Sequence, residues 1–137
     1  MLSLLFNKRE DIKLDNIFAI ELLSWTMDRA LATHSVARIN IANASVENYV
    51  PMKLSFDAQL SALKQAANNG DIELKFLEID QNINQMMSAN SQRLFGESVA
   101  LDVEVTTMVK NSGYYQTLAN IMSRKMGLLS MVISGRG

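Results

Sequence analysis

The stretch SVALDVEVTTMVKNSGYYQTLANIMSRKMGLLSMV, residues 98–132, decides the fold class of this chain. Apolar residues recur along it at intervals of seven, namely Leu101, Met108, Tyr115, Met122 and Leu129. A second set interleaves four residues later, namely Val105, Ser112, Ala119, Met126 and Ile133. A heptad repeat places both sets on one side of an α-helix, where they can pack against another helix. The stretch predicts a long helix, with Ser98 as its N-cap.

A second seam of the same kind lies nearer the N-terminus. Its members alternate three and four residues apart, and they are Ile20, Leu23, Met27, Ala30, His34, Ala37, Ile41 and Ala44. This spacing predicts a helix over residues 15–44, about 45 Å long at 1.5 Å per residue. Asp15 or Asn16 is expected to cap its start. The two helices can pair as an antiparallel coiled coil.

Residues 50–97, between the seams, are less regular. PMKLSF (51–56) alternates as an extended segment would, and FDAQLSALKQAANNG (56–70) predicts a short helix closed by Asn68-Asn69-Gly70. DIELKFLEID (71–80) fits either a strand or an amphipathic turn. QNINQMMSANSQRLFGES (81–98) is polar and poorly patterned, which is typical of a loop or of a segment ordered only by its contacts. The predicted fold is mainly α, with long terminal helices paired in a coiled-coil-like bundle around a small irregular insert with room for short strands.

This organisation divides the chain into three parts. Residues 1–44 are an N-terminal helix that begins with a short apolar leader, residues 45–97 are a turn and a variable insert, and residues 98–137 are a C-terminal helix. Apolar residues also flank both seams, namely Leu22, Trp25, Val36, Ile39, Leu118, Ile121, Leu128 and Val132. Such flanks predict further packing helices. Because the insert holds few helical residues, neighbouring subunits are expected to supply them.

Small residues form a further stripe beside the C-terminal seam. It contains Gly113 and Gly127, seven positions from Thr106, Asn120 and Ser134. A glycine inside a helix costs about 1 kcal/mol relative to alanine. Close approach of another helix would compensate for that cost. The alternative is that both glycines are simply tolerated.

Composition excludes several classes of function. Hydrophobic residues make up 48% and charged residues 20% of the 137 positions, which argues against wholesale disorder. A net charge of −1 argues against nucleic acid or an anionic membrane as partner. No apolar run approaches the roughly 18 residues that cross a bilayer, and the N-terminus lacks the order of charges of a cleavable signal peptide. Membrane insertion is not expected.

The sequence contains no recognisable catalytic or metal-binding pattern. Cysteine is absent, and His34 is the one histidine, so no thiolate or paired-histidine metal site is available. His34 falls on the seam, where a packed histidine is the better interpretation. The acidic residues Asp71, Glu73, Glu78 and Asp80 lack EF-hand spacing and are expected to be solvated. We expect neither enzymatic activity nor a cofactor.

The end of the first helix carries a recognisable motif. NIANASVENY, residues 40–49, resembles the N-terminal signature of bacterial flagellar axial proteins, in which Asn-Ile-Ala-Asn is followed by Thr-Pro-Gly-Tyr. Residues 98–132 are similar to the C-terminal helix of proximal rod proteins of the FlgB type. Ser-Val-x-Leu-Asp-x-Glu matches residues 98–104, and Asn-x-x-x-Tyr-Gln matches residues 111–116.

The resemblance implies a structural subunit of the flagellar basal-body rod, located in the periplasm. Such subunits are exported without processing by the flagellar type III apparatus, and they polymerise helically with themselves and other rod proteins. The motif then implies an assembly turn formed by Asn40, Ile41, Ala42, Asn43, Asn48 and Tyr49. Both Asn40 and Asn43 are expected to act locally at the helix end, and Tyr49 to anchor the turn through its ring and hydroxyl.

The sequence departs from the family motif within the turn. Val46, Glu47 and Asn48 stand where Thr, Pro and Gly are usual. Asparagine tolerates a left-handed backbone better than other non-glycine residues, so Asn48 can keep the turn geometry, whereas Glu47 leaves the turn type open. Two other assignments stay open: another axial subunit such as the second proximal rod protein, and a soluble helical export chaperone or adaptor.

Overall fold

The structure is a computed structural model that describes residues 1–71 and 83–135, with the side chains of residues 6, 9–17 and 83 left aside. Two long helices dominate it, α1 (Leu2–Ala42) and the last helix, α4 (Leu101–Ile133). Between them come strand β1 (Met52–Leu54), helix α2 (Asp57–Asn69), helix α3 (Ile83–Asn90) and strand β2 (Ser91–Arg93). The predicted fold class is confirmed.

Helices α1 and α4 pack side by side and run antiparallel. Asn40 near the end of α1 contacts Glu104 in the first turn of α4, whereas Thr26 lies beside Tyr114. Helix α1 begins at Leu2 and not near residue 15, so the expectation that Asp15 or Asn16 caps it is wrong. The reason is that no proline or glycine precedes Pro51, and the segment is rich in good helix formers.

The start of α4 also differs from the prediction. Its N-cap position is Ala100, with an extended backbone and no side-chain cap, so Ser98 does not cap the helix. Asp102 and Glu104 occupy the first turn, where negative charge interacts favourably with the helix dipole. The first turn of α4 is therefore supported by charge and by tertiary contacts rather than by an N-cap side chain.

The insert folds onto one face of α1. Trp25 and Ala32 of α1 form a buried cluster with Phe56, Leu63 of α2 and Met86 of α3. The guanidinium carbon of Arg29 lies 5.0 Å from the ring centres of both Trp25 and Phe56, within cation–π range. The insert therefore covers the side of α1 that carries Trp25. That neighbouring subunits cover the remaining flanks of the two helices stays a prediction.

Strands β1 and β2 form a two-stranded antiparallel ribbon in which Met52 pairs with Arg93 and Leu54 with Ser91. Helix α2 ends at Gly70 in the left-handed conformation, which confirms the predicted helix and its glycine stop. Of the two alternatives for residues 81–98, the loop is wrong, because α3 and β2 lie there. Residues 72–80 of the ambiguous DIELKFLEID segment lie outside the described residues, as do Glu73, Glu78 and Asp80.

Partial burial raises the pKa of the Asp28 carboxyl in α1 above the ordinary 3.8. Because the folded chain binds the Asp28 proton more tightly than the unfolded chain, the contribution of Asp28 to stability is fully present below the unfolded-state pKa. It is lost as pH rises through the folded-state pKa. We expect Asp28→Asn to raise the melting temperature slightly at pH 7, with no gain at pH 3. Thermal melts at both values check this against Asp71→Asn, which removes an exposed carboxylate; equal shifts would contradict it.

Candidate functional site at the chain reversal after α1

Asn40 lies at the centre of the chain reversal and is completely buried. Its side-chain Nδ2 donates to the Met52 carbonyl at 2.8 Å and to the Glu104 carboxylate at 3.0 Å. Its Oδ1 accepts from the Met52 N–H at 2.9 Å and from the Tyr49 hydroxyl at 2.8 Å. Both donors and both acceptor positions of the carboxamide are therefore used, as a buried amide requires.

The paired bonds to Met52 explain why an amide side chain is needed at position 40. In the ribbon, the Pro51 carbonyl and the Ser55 N–H bond toward the β2 side, to Leu94 and Asn90. Alternate residues of a strand point their polar groups in opposite directions, so the Met52 N–H and C=O face away from β2. The Asn40 carboxamide meets both groups as a neighbouring peptide would, and it closes the free edge of β1 at this residue.

The contacts of Asn40 also connect three separate elements. The bond to Glu104 reaches 64 residues along the sequence and joins the end of α1 to the first turn of α4. The expectation that Asn40 acts only locally is therefore wrong. Sequence reasoning missed Met52 and Glu104 as partners of Asn40. Glu104 enters it only as the last residue of the Ser-Val-x-Leu-Asp-x-Glu match, and nothing in the sequence pattern marks Met52.

Asn43 acts locally at the end of α1, as the sequence analysis predicts. Its Nδ2 donates to the Ile39 carbonyl at 2.8 Å, and its backbone N–H is shared between the carbonyls of Ile39 and Asn40. It therefore satisfies carbonyls that the last turn of α1 leaves without helical partners. Ile41 and Ala42 are the last two residues of the helix, with Ile41 half-buried and Ala42 exposed.

The reversal itself is a four-residue turn from Val46 to Tyr49. The Tyr49 N–H donates to the Val46 carbonyl at 3.2 Å, and Asn48, in the third position, has φ 59°. Among the described residues it alone is a non-glycine with positive φ. A positive φ confined to the third position is typical of a type II turn, which favours proline at the second position and glycine or asparagine at the third. The turn therefore keeps the geometry that a Pro-Gly pair would form, with Glu47 in the place of proline.

This geometry leads to a prediction at Asn48. Alanine is strained in a left-handed backbone, so Asn48→Ala should lower the free energy of unfolding by about 1 kcal/mol, whereas Asn48→Gly should lower it not at all. Urea unfolding of the two variants measures the difference. Glu47→Ala, at the adjoining position without positive φ, serves as control and should be nearly neutral. An alanine variant as stable as the glycine variant would rule out the turn assignment.

With this geometry established, a known relative bears on what the site is for. The chain is 30% identical over 120 residues to the flagellar basal body rod protein FlgB of Bacillus subtilis strain 168. The match covers 85% of this chain and 93% of that protein. This chain belongs to the FlgB family. No family model matches the sequence, and no solved structure matches it.

The seam residues of this FlgB-family chain differ in how deeply they are buried. Ile20, Leu23 and Met27 on α1 are half-buried, as are Met108, Tyr115, Met122 and Leu129 on α4, whereas Leu101 is 51% exposed. The buried positions include three residues that sequence reasoning placed on the flanks, Trp25, Val36 and Leu118. Leu118 is the one buried side chain of α4.

The outer side of α4 is open. Gly113 and Gly127 are exposed, and a Cβ atom added at either would meet nothing within 4 Å. The same helix exposes many apolar residues, and one set among them is spaced by four, seven or eleven positions, namely Val103, Tyr114, Ile121, Leu128 and Val132. Their helical spacing places them on one side of α4. Within the described part of the chain, no group of acidic or histidine side chains is arranged to hold a metal, and no helix has the length and apolarity to cross a bilayer.

Proposed function

We propose that this chain is a structural subunit of the flagellar proximal rod. In this proposal the subunit is exported by the flagellar type III apparatus without a cleaved signal peptide, and it polymerises helically with copies of itself and with other rod proteins. The assembled rod transmits torque. The role requires no cofactor, catalytic residue, nucleic acid or membrane insertion.

The observation that carries the proposal is the match to a basal-body rod protein over 85% of the chain. The exposed apolar side of α4 supports it independently. Contiguous apolar surface on a monomer marks an interaction site, because leaving it in water is unfavourable. A helix that lies against α1 on one side and exposes apolar residues on another is suited to packing against neighbouring subunits.

The reversal at Asn40 has a definite place in this proposal. Asn40, Ile41, Ala42, Asn43, Asn48 and Tyr49 act as the assembly turn, which ends α1 and returns the chain to the insert. Its hydrogen bonds fix the end of α1 relative to the start of α4. A subunit with a fixed angle at this point presents the same two helices to each neighbour.

The decisive test is deletion of the gene in the source bacterium. We expect basal bodies without a rod and loss of swimming, both restored when the gene is supplied on a plasmid. Electron microscopy of isolated basal bodies gives the readout. Intact rods in the deletion strain would refute the proposal. Two results together would favour the chaperone or adaptor assignment: intact rods in the deletion strain, and a purified protein that remains a monomer or dimer at every concentration.

The stripe containing Gly113 and Gly127 gives a sharper prediction. Because no described residue lies within 4 Å of a Cβ built at Gly113, Gly113→Ala should stabilise the monomer by about 1 kcal/mol. If the stripe lets another helix approach closely in the rod, Gly113→Leu should block assembly while monomer helicity stays unchanged. Circular dichroism and rod imaging measure the two effects.

The matched control is Ser123→Leu, which adds the same side chain at another exposed position of α4. It should leave both helicity and rods intact. Normal rods in the Gly113→Leu strain would show that the two glycines are tolerated rather than required.

A further inference from the structure

Helix α1 extends beyond the end of α4. Ile133, the last residue of α4, lies 29 positions after Glu104, and Glu104 lies beside Asn40. In an antiparallel pair, Ile133 therefore comes level with the residue 29 positions before Asn40, which is residue 11. The first two turns of α1, residues 2–9, continue past that point as a single helix. We call this segment the overhang.

The overhang carries exposed leucines. Leu2, Leu4 and Leu5 are 79%, 73% and 56% exposed, and Lys8 is also exposed. Leu2 and Leu5 are three residues apart and so lie on one side of the helix. These leucines therefore remain largely exposed among the residues that the structure describes.

The opposite end of the helix pair has a groove of suitable size and character. Its walls are Ile39, Ile41 and Ala42 at the end of α1 and Val105 and Met108 of α4, with Arg38 at its border. Its volume is about 630 Å³. This space accommodates several apolar side chains but not a helix of the length of α4. We call it the hinge groove.

Charge adds a second match. Lys8 follows Leu5 by three residues, and the exposed Asp102 precedes Val105 by three. If two copies stack in the same orientation, the overhang of one runs antiparallel to α4 of the other. Leu5 then lies beside Val105, and Lys8 lies beside Asp102, one turn further on. Both the apolar and the charged pair form in a single register.

We propose that the overhang of one subunit packs into the hinge groove of a second copy, with Leu2 and Leu5 in the groove and Lys8 facing Asp102. The contact joins two different surfaces of the same chain. A head-to-tail contact of this kind leaves both surfaces available at the ends of a dimer, so further copies can add. It generates a ring when the rotation between copies returns to the first copy, and a helical filament when it does not. The inference rests on the proposed rod function, and it specifies one axial contact of that assembly.

Disulfide cross-linking tests the contact directly, because the natural chain contains no cysteine. We expect the concentrated, purified double variant Leu5→Cys, Val105→Cys to form a ladder of head-to-tail oligomers on oxidation. Within one chain the two positions lie at opposite ends of the bundle and cannot join. Each single variant should stop at the dimer. The control pair Leu5→Cys, Ser123→Cys should form no ladder.

A charge exchange tests the register. Asp102→Lys should abolish the ladder in the double-cysteine background, and adding Lys8→Asp should restore it. Absence of a ladder in the concentrated double-cysteine protein would overturn the inference, as would failure of the exchange to restore it. Rod formation in cells is a separate readout. If cells form intact rods in which Leu5→Cys and Val105→Cys do not cross-link, this contact is refuted and the rod function stands. If the purified protein forms the ladder but the deletion strain has intact rods, the rod function is refuted and the contact stands.

Discussion

Replacing Asn40 by alanine is expected to destabilise the folded chain by about 2–4 kcal/mol, since each buried polar group left without a partner costs about 1–3 kcal/mol. The substitution removes all four hydrogen bonds of the carboxamide at once. The Met52 N–H and C=O lose their partner at the edge of β1, and Tyr49 loses the acceptor of its hydroxyl. Urea unfolding followed by circular dichroism measures the loss.

A matched control lies three residues further on. Asn43→Ala removes the same type of side chain from the same helix end, but that side chain makes one local bond, to the Ile39 carbonyl. Its cost should be about 1 kcal/mol or less. Equal losses at the two positions would show that Asn40 contributes only to the helix end and does not connect α1 with β1 and α4.

An isosteric variant separates the two halves of the network. Asn40→Asp keeps the oxygen that accepts from Met52 and Tyr49, but it replaces the donor to Met52 and Glu104 with a second oxygen. Two carboxylates would then face each other, and the Met52 carbonyl would face an acceptor. We expect this variant to be at least as unstable as Asn40→Ala at neutral pH, although its shape is unchanged.

The sequence was sufficient to predict the two long helices and their pairing. Heptad periodicity sums weak preferences over some thirty residues, so it survives local irregularities. The same reasoning could not identify the partners of Asn40. Those partners depend on which strand residue faces the helix and on which turn of α4 lies opposite, and both are fixed by the tertiary fold.

The insert shows where sequence reasoning fails and why. Residues 81–98 are polar and poorly patterned, yet Met86 within them is 1% exposed and anchors α3 against α1. A short helix that contributes one buried side chain leaves no periodic signal. Trp25 falls on a flank of the heptad seam for a related reason, since a seam defined by two helices takes no account of the insert.

Trp25→Ala is the second substitution with a large expected effect. Trp25 is 2% exposed and contacts the cluster that includes Phe56, Leu63 and Met86, so its removal leaves a cavity where α1 meets the insert. Loss of a buried tryptophan typically costs about 3–5 kcal/mol. Arg29 would also lose one of the two rings that its guanidinium faces. For a domain whose total stability is about 5–15 kcal/mol, this is a large fraction.

The place of the loss is as informative as its size. Hydrogen exchange should accelerate most in α2, because Leu63 packs against the cluster that the substitution empties. Leu22→Ala, on the same helix but 40% exposed, should change both stability and exchange little. If Trp25→Ala lowered the free energy of unfolding by less than about 1 kcal/mol, the insert would have to be held by the β-ribbon and Asn40 alone. A large loss of stability, with faster hydrogen exchange in the insert alone, would instead show that α1 holds the insert at two separate points, Trp25 and Asn40. Trp25→Ala would then release only the first of them.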